Sequence, residues 1–260
     1  MYYWGYFSFS GIFALMNFSQ KIIELNEVDS TNNYALQLIK QFKAQHGTCI
    51  FAHHQTAGKG QMGKTWYTNA NKNLTISIVI DVNSPIFANP FSLMALAGIT
   101  CCDFVKKNIN QPTFVKWPND IFINDKKAGG ILIETTKVNN TKFAVVGIGL
   151  NVNETNFGDN LNRAISLQQI TQQDYNLLEL TENLWNYFFN EYEKWLNTEI
   201  DIIHQQYNHL LYKKNENIKL KKGSININGL LKGVNKNGEL EIENALWDTF
   251  SVGSVQWVFD

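Results

Sequence analysis

Residues 55–66, QTAGKGQMGKTW, decide how this chain is to be read. Gly58, Gly60 and Gly63 spell G-x-G-x-x-G, and Gly58, Gly63, Lys64 and Thr65 spell G-x-x-x-x-G-K-[ST]. Both patterns work by aiming a helix N-terminus at phosphate, where free N–H groups and the macrodipole meet negative charge. No helix is expected after this loop. Downstream lies TWYTNANKN, rich in Asn and aromatic residues, and then residues 74–80, LTISIVI, a β-branched run with the character of a buried strand. Upstream, residues 49–52 also read as a strand. A glycine- and lysine-bearing loop between two strands can wrap an anion as a mobile flap, because glycines let backbone N–H groups approach it closely. Taken alone, the loop leaves a solvated connector open as the alternative.

Working outward, 260 residues with 44% hydrophobic and 17% charged content can bury a large core. A net charge of −1 gives no general attraction for nucleic acid or an anionic membrane. Cys49, Cys101 and Cys102 form neither a C-x-x-C pair nor a histidine cluster, so a reducing cytoplasm and buried structural thiols are expected, ahead of a nucleophilic cysteine. The aromatic, uncharged start lacks the basic residues of a secretory signal and the length of a membrane span. It is read as an N-terminal extension over 1–20, packed or disordered, leaving no room ahead of Ile22 for a helix-turn-helix domain.

A first strand is expected around residues 21–25. Capping oxygens at Asp29, Ser30, Thr31 and Asn32 then precede a helix with Tyr34, Ala35, Leu38, Ile39 and Phe42 on its apolar face. Pro90 opens a second helix with Leu93, Leu96, Ala97, Thr100 and Phe104 on one side. Strands follow at 114–117, 120–123, 130–135 and 142–148, then one long helical region over 175–212 whose aromatic stripe reads as core. After Lys213 the texture changes to short β-runs with a hairpin signal at Asn237-Gly238, the mark of a small antiparallel barrel. The expected class is α+β: a mixed β-sheet with flanking helices over 21–212, and the barrel over 213–260.

Chemistry concentrates again at residues 115–130, VKWPNDIFINDKKAGG. Lys116, between Val115 and Trp117, is costly to bury unless an anion pairs with it. Asn119 and Asp120 add an amide and a carboxylate, and Lys126 and Lys127 precede Gly129 and Gly130. Such a group suits a triphosphate with Mg²⁺, which needs only a carboxylate or two beside phosphate and water; an ordinary hairpin with solvated lysines is the alternative. The run GIGLNVN at 147–153 closes a strand with polar Asn151, at a ligand crevice or a simple turn. His53 and His54 lack a matched acid or nucleophile and read as strand-end residues.

In this order and spacing, VDSTN at 28–32, QTAGKGQMGKTW, KWPNDIFINDKKAGGILIE at 116–134 and GIGLNVN resemble the biotin protein ligases. The resemblance covers most of residues 22–155, and GVNKNGEL at 233–240 looks like that family's SH3-like C-terminal domain. It implies a class II synthetase-like catalytic domain that joins biotin to ATP as biotinyl-AMP and passes it to a lysine of a biotin carboxyl carrier protein. By motif position, Ser30, Thr31, Asn32, Gln55, Gly58, Lys59, Gly60, Gln61, Lys127 and Gly130 are implied at biotin. Lys59, Gln61, Lys64, Trp66, Lys116, Asn119, Asp120 and Asn151 are implied at ATP or the adenylate. Lys127 and Lys116 are the implied catalytic pair, with Asp120 at Mg²⁺. The family loop is usually G-R-G-R-x-G-R, whereas Lys59, Gln61 and Lys64 stand here; lysine lacks the bidentate fork for phosphate and Gln61 lacks charge, which predicts a weaker grip on the adenylate. Lipoate protein ligases resemble this family and form the nearest rival. A non-catalytic nucleotide-binding or adaptor module is the rival of another class. A purely enzymatic ligase without nucleic-acid or membrane partners, monomeric or homodimeric, is expected.

Overall fold

The computed structural model describes residues 22–158 and 161–259; the N-terminal extension expected over 1–20 lies outside them. Twelve strands and five α-helices are described. The N-terminal part contains β1 (Ile22–Val28), α1 (Thr31–Lys40), β2 (Cys49–Gln55), β3 (Asn73–Asp81), α2 (Pro90–Ile109), β4 (Thr113–Lys116), β5 (Asp120–Ile123), β6 (Lys126–Val138) and β7 (Thr141–Asn151). After it come α3 (Leu167–Thr171), α4 (Leu177–Trp195) and α5 (Ile200–His209). The C-terminal part holds β8 (Asn217–Lys222), β9 (Ile225–Val234), β10 (Leu240–Glu243), β11 (Thr249–Phe250) and β12 (Gln256–Val258).

Seven strands form a mixed sheet in the order β1-β2-β3-β7-β6-β5-β4, with only β1 and β2 parallel. The LTISIVI run is its centre. Ile76, Ile78 and Ile80 point to the face covered by α2 and α4, whereas Val79 joins Ile50 and Val145 under Ala35 and Ile39 of α1. Each fully buried Ile contributes on the order of 2 kcal/mol. α1 is short and covers only part of its face, so bare sheet remains beside it.

α2 starts as expected at Pro90, with the Asn89 side chain accepting from Phe91 N at 2.9 Å. The long helix expected over 175–212 is two helices: α4 ends at Trp195 and α5 begins after Glu199. Phe42, expected on the buried face of α1, lies beyond the helix at φ 58° and is 72% exposed. Ser30 occupies the N-cap position of α1 but its side chain makes no capping bond, because the polar groups at this helix start turn toward the cavity described below.

The C-terminal strands form an antiparallel sheet, β11-β10-β9-β8-β12, packed around Ile218, Leu220, Leu231, Val234, Leu240 and Phe250. This is the small β-rich unit expected from the sequence. It is fastened to the rest of the chain through polar bonds: Trp117 Nε1, just after β4, donates to Gly238 O at 2.9 Å, and Asn208 of α5 exchanges two bonds with the Val234 backbone at 2.8 and 2.9 Å. Gly238, at φ 83°, makes the expected turn between β9 and β10 and presses on Phe91.

Candidate active site

The uncovered face of the sheet carries a cavity of about 650 Å³ beside the N-terminus of α1. Its floor is made by register. Ser77 of β3 pairs with Gly147 of β7, Thr75 with Gly149, and Gly149 in turn with Gly130 of β6. Three glycines on one patch leave the backbone bare, and two of them are required by what lies above. A Cβ at Gly147 would run into the Asn32 amide, with Cγ at 3.0 Å and Nδ2 at 3.1 Å. A Cβ at Gly149 would fall 2.5 to 2.8 Å from the Trp66 ring.

Over this floor, the loop of residues 56–72 crosses from β2 to β3, as the sequence predicts. It contains a 3₁₀ turn, Gln61–Gly63, and no α-helix, so neither phosphate-loop pattern is used in its usual helical context. Lys59 and Thr65 bridge the neck of the loop, and Met62 reaches toward Gly253 of the C-terminal part. Lys59, Gly60, Gln61, Lys64 and Trp66 all line the cavity, while Gly58 lies behind it against the Trp66 carbonyl.

At one end, Ser30, Thr31, Asn32 and Gln55 gather as a polar pocket. Gln55 Oε1 accepts from Thr31 N at 2.8 Å and from Thr31 Oγ1 at 3.1 Å. Ser77 Oγ lies 2.6 Å from Asn32 Oδ1 and 2.7 Å from Thr31 Oγ1. At the other end the lysines gather round one carboxylate. Asp120 Oδ1 is 2.6 Å from Lys127 Nζ, and Oδ2 is 3.3 Å from Lys116 Nζ. Burial works against the charge on Asp120, but the two lysines and their hydrogen bonds outweigh it and hold the carboxyl below its usual range. Burial also pulls the Lys116 ammonium below the ordinary lysine range, against the attraction of Asp120. Lys127 is 38% exposed against 12% for Lys116, so Lys127 is the cation able to turn toward a ligand. Trp257 and Phe259, from β12 and just after it, close this end and stand within 6.0 Å of the Lys116 ammonium.

The comparisons with known proteins fit this arrangement. Residues 25–151 match the model of the biotin/lipoate A/B protein ligase family. That stretch of the chain is similar to the family. A biotin protein ligase from Aquifex aeolicus, solved in complex with biotin and ATP, superposes with a TM-score of 0.73 at 26% identity, over 93% of this chain and 96% of that one. The bifunctional ligase/repressor BirA of Bacillus spizizenii is 29% identical over 195 residues, 72% of this chain and 59% of its own length. The biotin–[acetyl-CoA-carboxylase] ligase of Mycobacterium tuberculosis is 37% identical over 114 residues, 42% of this chain and 40% of its own. The chain thus spans less than two thirds of the length of these two curated relatives.

The cavity brings together all but two of the residues implied at a ligand by the sequence, the exceptions being Gly58 and Asn151. Asn151 is buried below the floor, its Nδ2 donating to Lys127 O at 3.3 Å and Ile165 O at 3.2 Å. It therefore fixes the backbone that carries Lys127. Two groups that hold the lining residues from behind escaped the sequence reading. Ser77 lay hidden inside an apolar strand, and Glu134, at the end of a quoted motif, bonds Asn32 Nδ2 at 2.8 Å and Lys59 at 3.4 Å. His53 and His54 pair with Glu24 and Glu27 across β1 and β2, away from the cavity.

Among the described residues no cluster of three metal-ligating side chains exists. The donors fit a divalent cation that arrives with a nucleotide, since Asp120 is a single carboxylate beside a space rich in cations, and they do not form a preformed cage. No helix among the described residues is long and apolar enough to cross a membrane. Cys49, Cys101 and Cys102 are free and buried, and burial pushes all three thiols up, Cys101 to about 12.

Proposed function

We propose that the chain is an ATP-dependent biotin protein ligase, with residues 21–212 as the catalytic domain and 213–260 as the SH3-like domain that closes one wall. The observation that carries this reading is the placement, in one cavity, of a neutral polar pocket and a lysine cluster with the flap between them. The pocket formed by Ser30, Thr31, Asn32 and Gln55 offers both donors and acceptors in a buried setting, which suits the ureido ring of biotin. Lys127, Lys116, Lys59 and Lys64 suit a carboxylate and a polyphosphate brought together.

In the first step, the biotin carboxylate oxygen attacks the α-phosphorus of ATP. The bond to the bridging oxygen breaks, and pyrophosphate leaves with that electron pair. Two anions must approach, and Lys127 lowers the cost by turning from Asp120 to lie between them. Lys116 and Asn119 hold the phosphates, and the Trp66 indole offers a face for adenine. Asp120 would hold a Mg²⁺ ion, which would supply further neutralisation of the polyphosphate. In the second step, a neutral lysine amine of the carrier attacks the mixed anhydride carbonyl, AMP leaves, and the amine gives up a proton. Gln55, Gly60, Gln61 and Gly130 complete the biotin-side wall, with Gly58 behind it.

The proposed partner is a biotin carboxyl carrier domain and the proposed location is the cytoplasm, which suits three free cysteines. Incubation with labelled biotin, ATP and such a carrier domain tests the reading: label on the carrier lysine supports it. Label that appears with lipoate in place of biotin assigns the chain to the sister activity.

A further inference from the structure

Glu134 of β6 stands where the flap meets the polar pocket. Its Oε2 accepts from Asn32 Nδ2 at 2.8 Å, and its Oε1 is 3.4 Å from Lys59 Nζ. A carboxylate only accepts, so Glu134 fixes which end of the Asn32 amide faces it. Asn32 Oδ1 is thereby turned to Ser77 Oγ at 2.6 Å and takes that hydroxyl proton. The Thr31 hydroxyl, 2.7 Å from Ser77 Oγ and 3.1 Å from Gln55 Oε1, then keeps its own proton to donate to one of these two acceptors, while Thr31 N donates to Gln55 Oε1 at 2.8 Å. Gln55 is left with its amide nitrogen free to serve the cavity. Charge at one residue therefore orients Asn32 and, through Ser77, sets the role of the Thr31 hydroxyl.

The same carboxylate holds the flap. Lys59 is 41% exposed and its pair with Glu134 is partly solvated, so the pair is weak enough to be exchanged for a ligand anion. We propose that Glu134 is a positioning residue that couples the flap to the head-group pocket: it orients Asn32 and, until a ligand carboxylate draws Lys59 away, keeps the flap docked. This deepens the biotin-ligase reading and rests on it.

The test combines kinetics with trypsin cleavage after Lys64 in the ligand-free enzyme. Glu134→Gln keeps an acceptor for Asn32 but removes the charge that holds Lys59; Lys59→Met removes the other side of the pair. Each single variant is expected to be cleaved about threefold faster than wild type, and the double variant no faster than either single one. Glu134→Ala is expected to raise KM for biotin about tenfold with kcat within about twofold and KM for ATP unchanged, with partial rescue in Glu134→Gln. Cleavage rates equal to wild type in the single variants would overturn the coupling. So would a joint fall in kcat and melting temperature with KM for biotin unmoved, which marks a merely structural role. If wild type does not use biotin, the ligase reading fails, and the cleavage rates still decide the Glu134–Lys59 coupling.

Discussion

Lys127 Nζ lies 2.6 Å from Asp120 Oδ1, so the lysine proposed to bridge the two substrates is parked on the carboxylate proposed to meet the metal ion. Asp120 also faces Lys116 at 3.3 Å. Removing the charge in Asp120→Asn leaves Lys116 buried without its anion. We expect a loss of about 2–3 kcal/mol in unfolding free energy, read by urea denaturation at neutral pH. Unchanged stability would show that the lysines are solvated after all.

The pH dependence follows from the two shifts. Lys116 has a folded pKa below its unfolded value, so it loses its proton before an ordinary lysine does, at a pH under about 10.4. The stability penalty of burying its charge is full below the folded value and is relieved as pH rises through that window. Phosphate binding, which needs the charge, should fall over the same range. Lys116→Arg should move this alkaline limb of adenylation upward, since a guanidinium stays charged. For Asp120 the depressed pKa means that its contribution is fully present above about 3.9 and is lost only as pH falls below that through the folded value.

Gly147 and Gly149 separate the two halves of the site. An alanine at 147 meets Asn32, and one at 149 meets Trp66. Gly147→Ala should raise KM for biotin about tenfold with little change for ATP, and Gly149→Ala should do the reverse. Steady-state kinetics with each substrate varied in turn checks both; equal effects on both substrates in either variant would break the assignment.

Gln61 lines the cavity with its Oε1 buried and without a partner. A neutral amide there grips phosphate less than a guanidinium would. Gln61→Arg should lengthen the residence of the adenylate on the enzyme about tenfold, measured by release of preformed biotinyl-AMP in the absence of carrier. A release rate equal to wild type would exclude the loop charge as the control.

Much of the fold was legible because the signals were local. LTISIVI, Pro90 and Asn237-Gly238 each announce their element through propensity or a backbone requirement, and the structure has a strand, a helix start and a turn there. The split between α4 and α5 was not, because the apolar stripe runs on past residues 196–199 while the chain bends there. The candidate site was legible as four motifs but not as a network. Ser77 reads as one more position in a buried run until register sets it opposite Gly147. Asn151 reads as a ligand residue until its amide is found on the backbones of Lys127 and Ile165. Cross-strand pairing carries that information, and periodicity does not.

ATP–pyrophosphate exchange with the purified protein, comparing biotin with lipoate and wild type with Lys127→Ala, tests the central claim most directly. The account predicts exchange that requires biotin and falls by at least about a hundredfold in the variant, which keeps its fold because Lys127 is partly exposed. Exchange supported by lipoate alone, or exchange with biotin undiminished in Lys127→Ala, would contradict it.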